Sequence, residues 1–304
     1  MSEELFKSGF IGLIGRTNVG KSTLINKILK KNVVITSDKA QTTRDRINCI
    51  YNSENAQAIF VDCPGFFKPR DLLGKKLNKI IYGVLEDVDI IVAMVDIAGG
   101  IGAGDHYVFE QIKNKSKRQM LLLNKLDLLD KREKARIPDI ISEIKAEYVF
   151  FKDVIPISAV TGENINVFLE SLIYKLPLGP KYYHDVMITD MPINKIIAEI
   201  VREKLSRNLF DELPHSINIQ VENMKKTTTK TGEPLTKIEC SIYAEKKSHK
   251  AMIIGKSGEM LKKVGEISRY EIENLIGTKV YLQLWVKIME NWTKKEVYLR
   301  RMGY

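Results

Sequence analysis

Residues 15–22, GRTNVGKS, constrain the fold of this chain more than any other stretch of its 304 residues. They fit the pattern G-x-x-x-x-G-K-S, directly after an apolar run that ends at Ile14 and directly before a stretch with helical spacing. A glycine turn between a strand and a helix lets backbone N–H groups surround phosphates, and the helix N-terminus adds positive potential. The alternative, a glycine turn that merely precedes a helix, is disfavoured by this context. The sequence therefore predicts a phosphate-binding loop.

The positions of this loop have different expected tasks. Lys21 is expected to reach the β- and γ-phosphates of a nucleotide, and the Ser22 hydroxyl is expected to bind magnesium. The glycines let the backbone approach the phosphates closely, because they have no Cβ atom. The full set of predicted contacts in this loop is Gly15, Asn18, Val19, Gly20, Lys21, Ser22 and Thr23.

The first part of the chain alternates apolar runs with helical patterns, as βαβ units do. The predicted strands are 10–15, 58–62, 89–96, 119–125 and 154–159, and the predicted helices are 21–31, 73–86, 104–115, 131–147 and 163–175. This alternation predicts a doubly wound, mostly parallel sheet whose ligands bind at the carboxyl ends of the strands. The glycine-rich residues 98–105 are predicted to be a flexible loop, since their spacing is not that of a dinucleotide-binding turn.

A stretch with three prolines and a glycine, residues 174–192, separates this pattern from a different one. We therefore expect a first domain over 1–177, a linker over 178–191 and a second domain over 192–304. The second domain is predicted to be α+β, with helices over 193–208, 247–254 and 258–276 and strands over 216–224, 235–245 and 279–287.

The sequence NKLD, residues 124–127, resembles the guanine-reading motif of GTPases and ends a predicted strand. A carboxylate at Asp127 can accept two hydrogen bonds from the guanine edge, whereas adenine offers a different edge. Asn124 and Lys125 are expected to hold the loop and cover the base. Ser158 and Ala159 follow another strand and match the last guanine-contacting turn.

The sequence VDCPGFF, residues 61–67, carries the remaining phosphate chemistry. Asp62 matches the aspartate that holds magnesium, and Gly65 is expected to offer its N–H to the γ-phosphate. The position after Gly65 holds the water-orienting glutamine in Ras, but here it is Phe66. Thr43, in the polar stretch 39–46, is expected to close over magnesium as part of a switch loop, with Thr42 as the second candidate.

These motifs together resemble the Era family of bacterial ribosome-assembly GTPases, within the TrmE-Era-EngA-like group. The resemblance implies an α/β P-loop GTPase domain followed by a KH type II domain. Several related GTPases that lack the glutamine use potassium held by a phosphate-loop asparagine, and Asn18 is at that position here. The resemblance to the Era family therefore implies slow GTP hydrolysis to GDP with Mg²⁺ and K⁺. The catalytic residues that it implies are Lys21, Asn18, Thr43 and Gly65.

The turn GKSG, residues 255–258, lies between two predicted helices and has lysines on both sides. A G-x-x-G turn lets a nucleic-acid backbone approach, and nearby lysines supply charge for its phosphates. This pattern matches a KH domain, which clamps about four single-stranded nucleotides. The alternative is a helix–helix turn with a solvated lysine face. The predicted RNA contacts are Ile254, Gly255, Lys256, Ser257, Gly258, Lys262 and Lys263.

The resemblance also implies partners and a role. It implies a switch that binds the 3′ end of small-subunit ribosomal RNA and assists assembly of the small ribosomal subunit. We expect a monomer in the cytoplasm, with peripheral association at the inner face of the cell membrane as a further implication. The alternative function is an RNA-binding chaperone whose nucleotide binding tunes RNA affinity with little intrinsic hydrolysis.

Composition agrees with a cytosolic protein that has a polyanionic partner. The formal net charge is +10, which favours nucleic-acid binding without establishing it. No apolar run approaches the roughly 18 residues of a membrane-spanning helix. The N-terminal residues 1–10 have neither signal-peptide nor transit-peptide character. The three cysteines are widely spaced, so neither a disulfide framework nor a zinc site is expected.

Overall fold

The computed structural model describes residues 6–35, 43–67, 69, 71–209 and 217–304. The described chain forms two compact units. The second consists of Met191–Tyr304 together with the described residues of 69–76, and the first consists of the other described residues up to Asp190. The first contains a six-stranded sheet, and the second contains a three-stranded sheet.

The sheet of the first unit is mostly parallel, as predicted. Its strands are β1 (Lys7–Ile14), β2 (Ile47–Asn52), β3 (Ala56–Asp62), β4 (Ile90–Asp96), β5 (Arg118–Asn124) and β6 (Asp153–Pro156). Their order is β2-β3-β1-β4-β5-β6, and only β2 runs antiparallel to its neighbour. All seven residues of β3 are buried, because a central strand is covered on both faces. The carboxyl ends of β1, β3 and β5 therefore meet at one edge of the sheet.

The helices of the first unit follow the predicted βαβ rhythm with two corrections. They are α1 (Lys21–Leu29), α2 (Leu72–Asp87), α3 (Ala103–Ile112), α4 (Lys131–Ala135), α5 (Ile137–Glu147) and α6 (Ile165–Lys175). The helix predicted over 131–147 is two helices, which meet at Arg136 just before Pro138. Proline has no N–H to donate to the carbonyl four residues earlier, so one helix ends before Pro138 and the next begins with this proline in its first turn. The end of the glycine-rich stretch 98–105 forms the first turn of α3 rather than loop.

Residues 182–190 pack along the outer edge of this sheet. Backbone N–H groups of Tyr182 and Tyr183 both donate to Gln57 Oε1 at 2.9 Å. Thr189 forms a bridge with Cys49 of β2. The last part of the predicted linker is therefore an added edge of the first unit. No helix in the described part of the chain is long and apolar enough to cross a membrane.

The second unit has the element order α-β-β-α-α-β followed by a short helix. Its elements are α7 (Ile193–Asn208), β7 (Ile217–Thr228), β8 (Pro234–Ala244), α8 (Lys247–Ile254), α9 (Glu259–Ile276), β9 (Lys279–Ile288) and α10 (Glu296–Arg301). The strands pair β7-β8 antiparallel and β8-β9 parallel. One face of this sheet and the three long helices share an apolar core. This order and mixed sheet are those of a type II KH domain, as predicted.

Candidate nucleotide site and nucleic-acid turn

The phosphate loop joins the end of β1 to the first residue of α1. Asn18 and Gly20 have positive φ angles of 63° and 101°, so the backbone turns sharply there. A Cβ atom at Gly15 would lie 2.4 Å from the Met94 carbonyl oxygen, which is backbone and cannot move aside. Val19 is buried and Asn18 is exposed at the outer side of the loop. Packing therefore requires glycine at position 15, and the backbone conformation favours glycine at position 20.

Lys21 is buried inside the loop that it belongs to. Its Nζ donates to the carbonyl oxygens of Gly15, at 3.3 Å, and Arg16, at 2.8 Å. Burial lowers the pKa of Lys21, because the charged form has lost water, while the nearby Cys63 and Asp62 oppose this. A phosphate group would supply the negative charge that this buried ammonium lacks.

Ser22, Thr43 and Asp62 meet at the predicted magnesium position. The Ser22 and Thr43 hydroxyls each donate to Asp62 Oδ2 at 3.0 Å, and the two hydroxyl oxygens are 3.3 Å apart. Asp62 Oδ1 is buried and has no hydrogen-bond partner within the described residues. Burial raises the pKa of Asp62, although Lys21 and the two hydroxyls oppose the rise. Oxygen ligands with one unsatisfied carboxylate atom fit Mg²⁺. Thr42, the second candidate for this role, lies outside the described residues.

The guanine motif is connected to the phosphate loop through Asn124. Its Nδ2 donates to the Val19 carbonyl at 2.7 Å, and its Oδ1 accepts from the Ala159 N–H at 2.9 Å. One buried side chain therefore links three chain segments that are far apart in sequence. The Ser158 hydroxyl donates to Asp127 Oδ1 at 2.5 Å, which fixes the exposed carboxylate. A cleft of about 440 Å³ opens beside these loops, and Thr23, Lys27 and Ala159 are among its lining residues.

Lys125 has a partner that sequence reasoning missed. Its Nζ lies 2.6 Å from Asp96 Oδ2 at the end of β4, and its own φ is 74°. The ion pair holds the lysine stem in the loop, as expected for a side chain that covers the base. Asp96 was detectable only as a carboxylate at the end of a predicted strand.

Phe66 is the residue that replaces the water-orienting glutamine. Its ring is 4% exposed and packs edge-on against Tyr82 of α2 and Tyr107 of α3, with centroid distances of 5.9 and 6.0 Å. Its N–H donates to the Gly15 carbonyl at 3.0 Å. Gly65 lies so close to the phosphate loop that a Cβ atom would be 2.6 Å from Thr17 N. Phe66 is therefore a packing residue that holds this turn against the loop.

Arg16 and Asp105 form a second contact that the sequence did not reveal. Arg16 Nε donates to Asp105 Oδ1 at 2.8 Å, and Asp105 is 1% exposed. Asp105 Oδ2 also accepts from the Gly102 N–H at the start of α3. The stretch 98–105, predicted to be a flexible loop, therefore ends in a carboxylate that ties α3 to the phosphate loop.

The GKSG turn of the second unit is open on its outer side. Lys256 and Ser257 are exposed, and so are Lys262 and Lys263 on the first turns of α9. Gly255 has φ 74° and ψ 177°, a conformation that is essentially restricted to glycine. The turn and the first turns of α9 therefore present Lys256, Lys262 and Lys263 beside a backbone that has no Cβ atom at Gly255 and Gly258. Ile254, before the turn, is half-buried.

These two sites on these two folds define a GTPase of the P-loop class joined to a KH domain. The family model described as 50S ribosome-binding GTPase matches residues 10–125, and the KH domain model matches residues 212–293. The chain is 45% identical over 299 residues to GTPase Era of Caldanaerobacter subterraneus subsp. tengcongensis, covering 98% of both chains. It is 41% identical to GTPase Era of Alkaliphilus metalliredigens, covering 98% of this chain and 99% of the relative. The chain belongs to the Era family of GTPases.

Solved structures of Era cover both units. Era in complex with MgGDPNP and nucleotides 1506–1542 of 16S ribosomal RNA has a TM-score of 0.94 and 35% identity, covering 98% of this chain and 99% of that chain. A variant of Aquifex aeolicus Era bound to GDP and aluminium fluoride has a TM-score of 0.92 and 34% identity, with the same coverage. The ligand contacts assigned above to individual residues of this chain stay predictions.

Proposed function

We propose that this protein is a GTP-hydrolysing switch that binds the 3′ region of small-subunit ribosomal RNA and assists assembly of the small ribosomal subunit. The observation that carries the proposal is the hydrogen-bond system around Asn124, which links the phosphate loop to both guanine loops. The Era relative crystallised with MgGDPNP and 16S ribosomal RNA supports the same combination of ligands.

The chemistry rests on positioning and on charge. Lys21 neutralises phosphate oxygens, and the Gly65 N–H donates to the γ-phosphate, where negative charge grows during transfer to water. Ser22, Thr43 and Asp62 would hold Mg²⁺, which supplies further positive charge to the phosphates. Asn18 would hold K⁺ on the open side of the loop. Phe66 cannot orient water, so intrinsic hydrolysis is slow.

Phosphate release under multiple-turnover conditions tests the hydrolysis part. We expect the wild-type protein to be faster in potassium than in sodium, and the Asn18→Ala variant to lose this difference. Equal hydrolysis rates of the wild-type protein in potassium and in sodium would refute the proposed role of Asn18 and K⁺. A rate at the level of the buffer, with GTP binding intact, would instead favour the RNA chaperone whose nucleotide binding only tunes RNA affinity. The buried, apolar surroundings of Phe66 are the observation that keeps this second function open.

The RNA part is tested at the exposed GKSG turn. A variant carrying Lys256→Asp and Ser257→Asp places negative charge where phosphates bind, and its turn makes no core contacts at those two side chains. We expect weaker binding of a ribosomal 3′-end RNA and a salt dependence that is flatter by about 0.7 per lost phosphate contact. Wild-type RNA affinity in this variant would refute the KH assignment.

The switch itself requires that GTP and GDP give different RNA affinities. By linkage, RNA must then change nucleotide affinity by the same factor. Titration of one RNA in the presence of each nucleotide measures the first effect, and nucleotide competition with and without RNA measures the second. Equal RNA affinity in both states would leave two working domains without a switch.

We also propose a cytoplasmic monomer with peripheral membrane association, organised as 1–177, 178–191 and 192–304. Residues 182–190 hydrogen-bond to the first unit, so fragments ending at 177 and at 190 make a useful pair. Both are expected to bind GTP, because every nucleotide motif lies before residue 160. The longer fragment is expected to be the more stable one in thermal unfolding.

A further inference from the structure

The three-stranded sheet of the second unit has one face that its helices leave open. On β9, alternate residues Val280, Leu282, Leu284 and Val286 pack in the core, so the residues between them lie on the opposite face. This outer sheet face consists of Tyr281, Gln283, Trp285 and Lys287 with the residues paired to them on β8 and β7. The rings of Tyr281 and Trp285 are 51% and 56% exposed.

The C-terminal segment covers only one end of the outer sheet face. Gln220 of β7 donates to the Arg301 carbonyl at 2.9 Å, and Asn218 contacts Met302. Trp292, by contrast with Trp285, is fully buried. The C-terminal segment therefore covers Asn218 and Gln220 on this face and leaves the rings of Tyr281 and Trp285 exposed.

Charge on this face favours a polyanion. The lysines that share it are Lys225, Lys237, Lys279 and Lys287, and the carboxylates that lie on it or contact its lysines are Glu222, Glu233 and Glu239. Lys287 pairs with Glu222 and Lys279 with Glu233, whereas Lys225 and Lys237 have no ion pair within the described residues. Protein–protein interface cores are depleted of lysine, while single-stranded nucleic-acid surfaces combine lysine with stacking rings.

We infer that the outer sheet face is a second single-stranded RNA surface, on which bases stack against Tyr281 and Trp285. The rings are four residues apart on one strand, a separation of about 13 Å. That distance leaves room for one further base over the Gln283 amide. The inference rests on the proposed RNA binding and extends it. Era is bound to nucleotides 1506–1542, a span of 37, whereas a KH turn clamps about four.

The chain provides its own reporter for this inference. It contains two tryptophans, one buried and one half-exposed, so a change in fluorescence that depends on Trp285 reports stacking directly. The probes are a 37-nucleotide RNA with the ribosomal 3′-end sequence and a short oligonucleotide of about four nucleotides, the length that a KH turn clamps. We expect the long RNA to quench Trp285 emission, and the Trp285→Phe variant to lose the signal while keeping its affinity.

The double variant Tyr281→Ala, Trp285→Ala separates the two surfaces. Loss of one stacked base weakens binding by about 5- to 150-fold, so this variant is expected to bind the long RNA at least about tenfold more weakly and the short one normally. The variant in the GKSG turn is expected to lose both. Tyr270→Ala, which removes an exposed ring from α9, is the matched control, and thermal unfolding verifies that each variant is folded.

Each other outcome is decisive. Wild-type affinity for the long RNA in the folded double variant, unchanged Trp285 emission at saturation, or an equal loss in the Tyr270→Ala control would overturn the inference. Emission that responds to small-subunit ribosomal proteins and not to RNA would also overturn it, in favour of a protein partner. Normal binding of both RNAs by the GKSG variant would count against the proposed KH function instead.

Discussion

The two glycine turns of this protein, one at residues 15–22 and one at 255–258, solve the approach to phosphate in different ways. The first is enclosed, since a Cβ atom at Gly15 would overlap the Met94 backbone and Lys21 is buried. The second is open, since a Cβ atom at Gly258 would have no neighbour within 4 Å and Lys256 is exposed.

The difference agrees with the ligand proposed for each turn. A nucleotide is a small ligand of fixed shape, so its loop can be built into the sheet edge and locked by Asn124. An RNA strand enters from outside and continues beyond the turn, so its site needs exposed charge and a bare backbone. Substitutions in the first turn should therefore affect packing and binding together, whereas those in the second should affect mainly binding or local backbone strain.

The largest effect is expected for Gly15→Ala. The new methyl group would lie 2.4 Å from a backbone oxygen, so the strand end or the loop must move. We expect nucleotide affinity to fall at least about 100-fold, which is about 2.7 kcal/mol. Fluorescent-nucleotide titration measures it. Gly83→Ala in α2 is the control, because nothing lies within 4 Å there and alanine favours a helix. Similar affinities in the two variants would show that the loop is not enclosed.

Asp127→Asn is expected to have the next largest effect, confined to the choice of base. The Ser158 hydroxyl can still donate to the side-chain oxygen, so the loop should keep its shape. The amide cannot accept both hydrogen bonds from guanine, and we expect a loss of about 10- to 100-fold for GTP. Xanthosine triphosphate should gain affinity, since its 2-oxo group accepts from the amide. Nucleotide competition measures both, and an unchanged preference for GTP would contradict the role of Asp127.

A smaller effect separates the two glycines of the GKSG turn. Alanine at Gly255 meets both a glycine-only backbone conformation and Met260 Cβ at 2.7 Å, so we expect a loss of about 1–3 kcal/mol in folding stability. Alanine at Gly258 meets only the left-handed strain of φ 84°, about 1 kcal/mol. Thermal or denaturant unfolding ranks them. A larger loss at Gly258 would mean that the turn is enclosed on its other side.

The smallest effect concerns the buried thiols, Cys49 and Cys63 in the first unit and Cys240 in the second. Burial raises the pKa of Cys63 and of Cys240 to about 12, and it also raises the pKa of Cys49. At pH 8 the folded thiols are therefore almost entirely protonated, and iodoacetamide should label them only after local unfolding. GTP with magnesium should slow labelling of the first two and leave Cys240 unchanged. Mass spectrometry of the labelled peptides distinguishes the three sites.

Local sequence patterns predicted the fold where apolar residues had a regular spacing and where glycine or proline marked the ends of helices and strands. The phosphate loop, the parallel strands and α7 all follow from apolar spacing beside glycine or proline. The short helix α10 was missed, because six residues give too few turns for a helical period to appear. The division between α4 and α5 could have been found, since Pro138 interrupts the predicted helix.

The sequence predicted a site residue where that residue and its expected contact belong to recognised motifs. Lys21, Ser22 and Asp62 lie together as their motifs required. The Arg16–Asp105 pair and the ion pair of Lys125 with Asp96 could not be predicted, because each joins segments that only the folded sheet brings together. A charged residue has many oppositely charged residues elsewhere in the sequence, and only the folded structure determines which of them forms the ion pair.

Phe66 limits how this protein could change during evolution. Its ring fills a closed space between Tyr82 and Tyr107, whose hydroxyl oxygens lie 3.4 Å apart. A glutamine there would exchange the apolar ring contacts for a buried amide, at a cost of about 1–3 kcal/mol unless the amide is hydrogen-bonded. A lineage that gained a water-orienting glutamine by this single substitution would lose the ring that packs the turn at residues 64–66 against α2 and α3. Faster hydrolysis is thus reached more easily by selecting an external partner than by altering position 66.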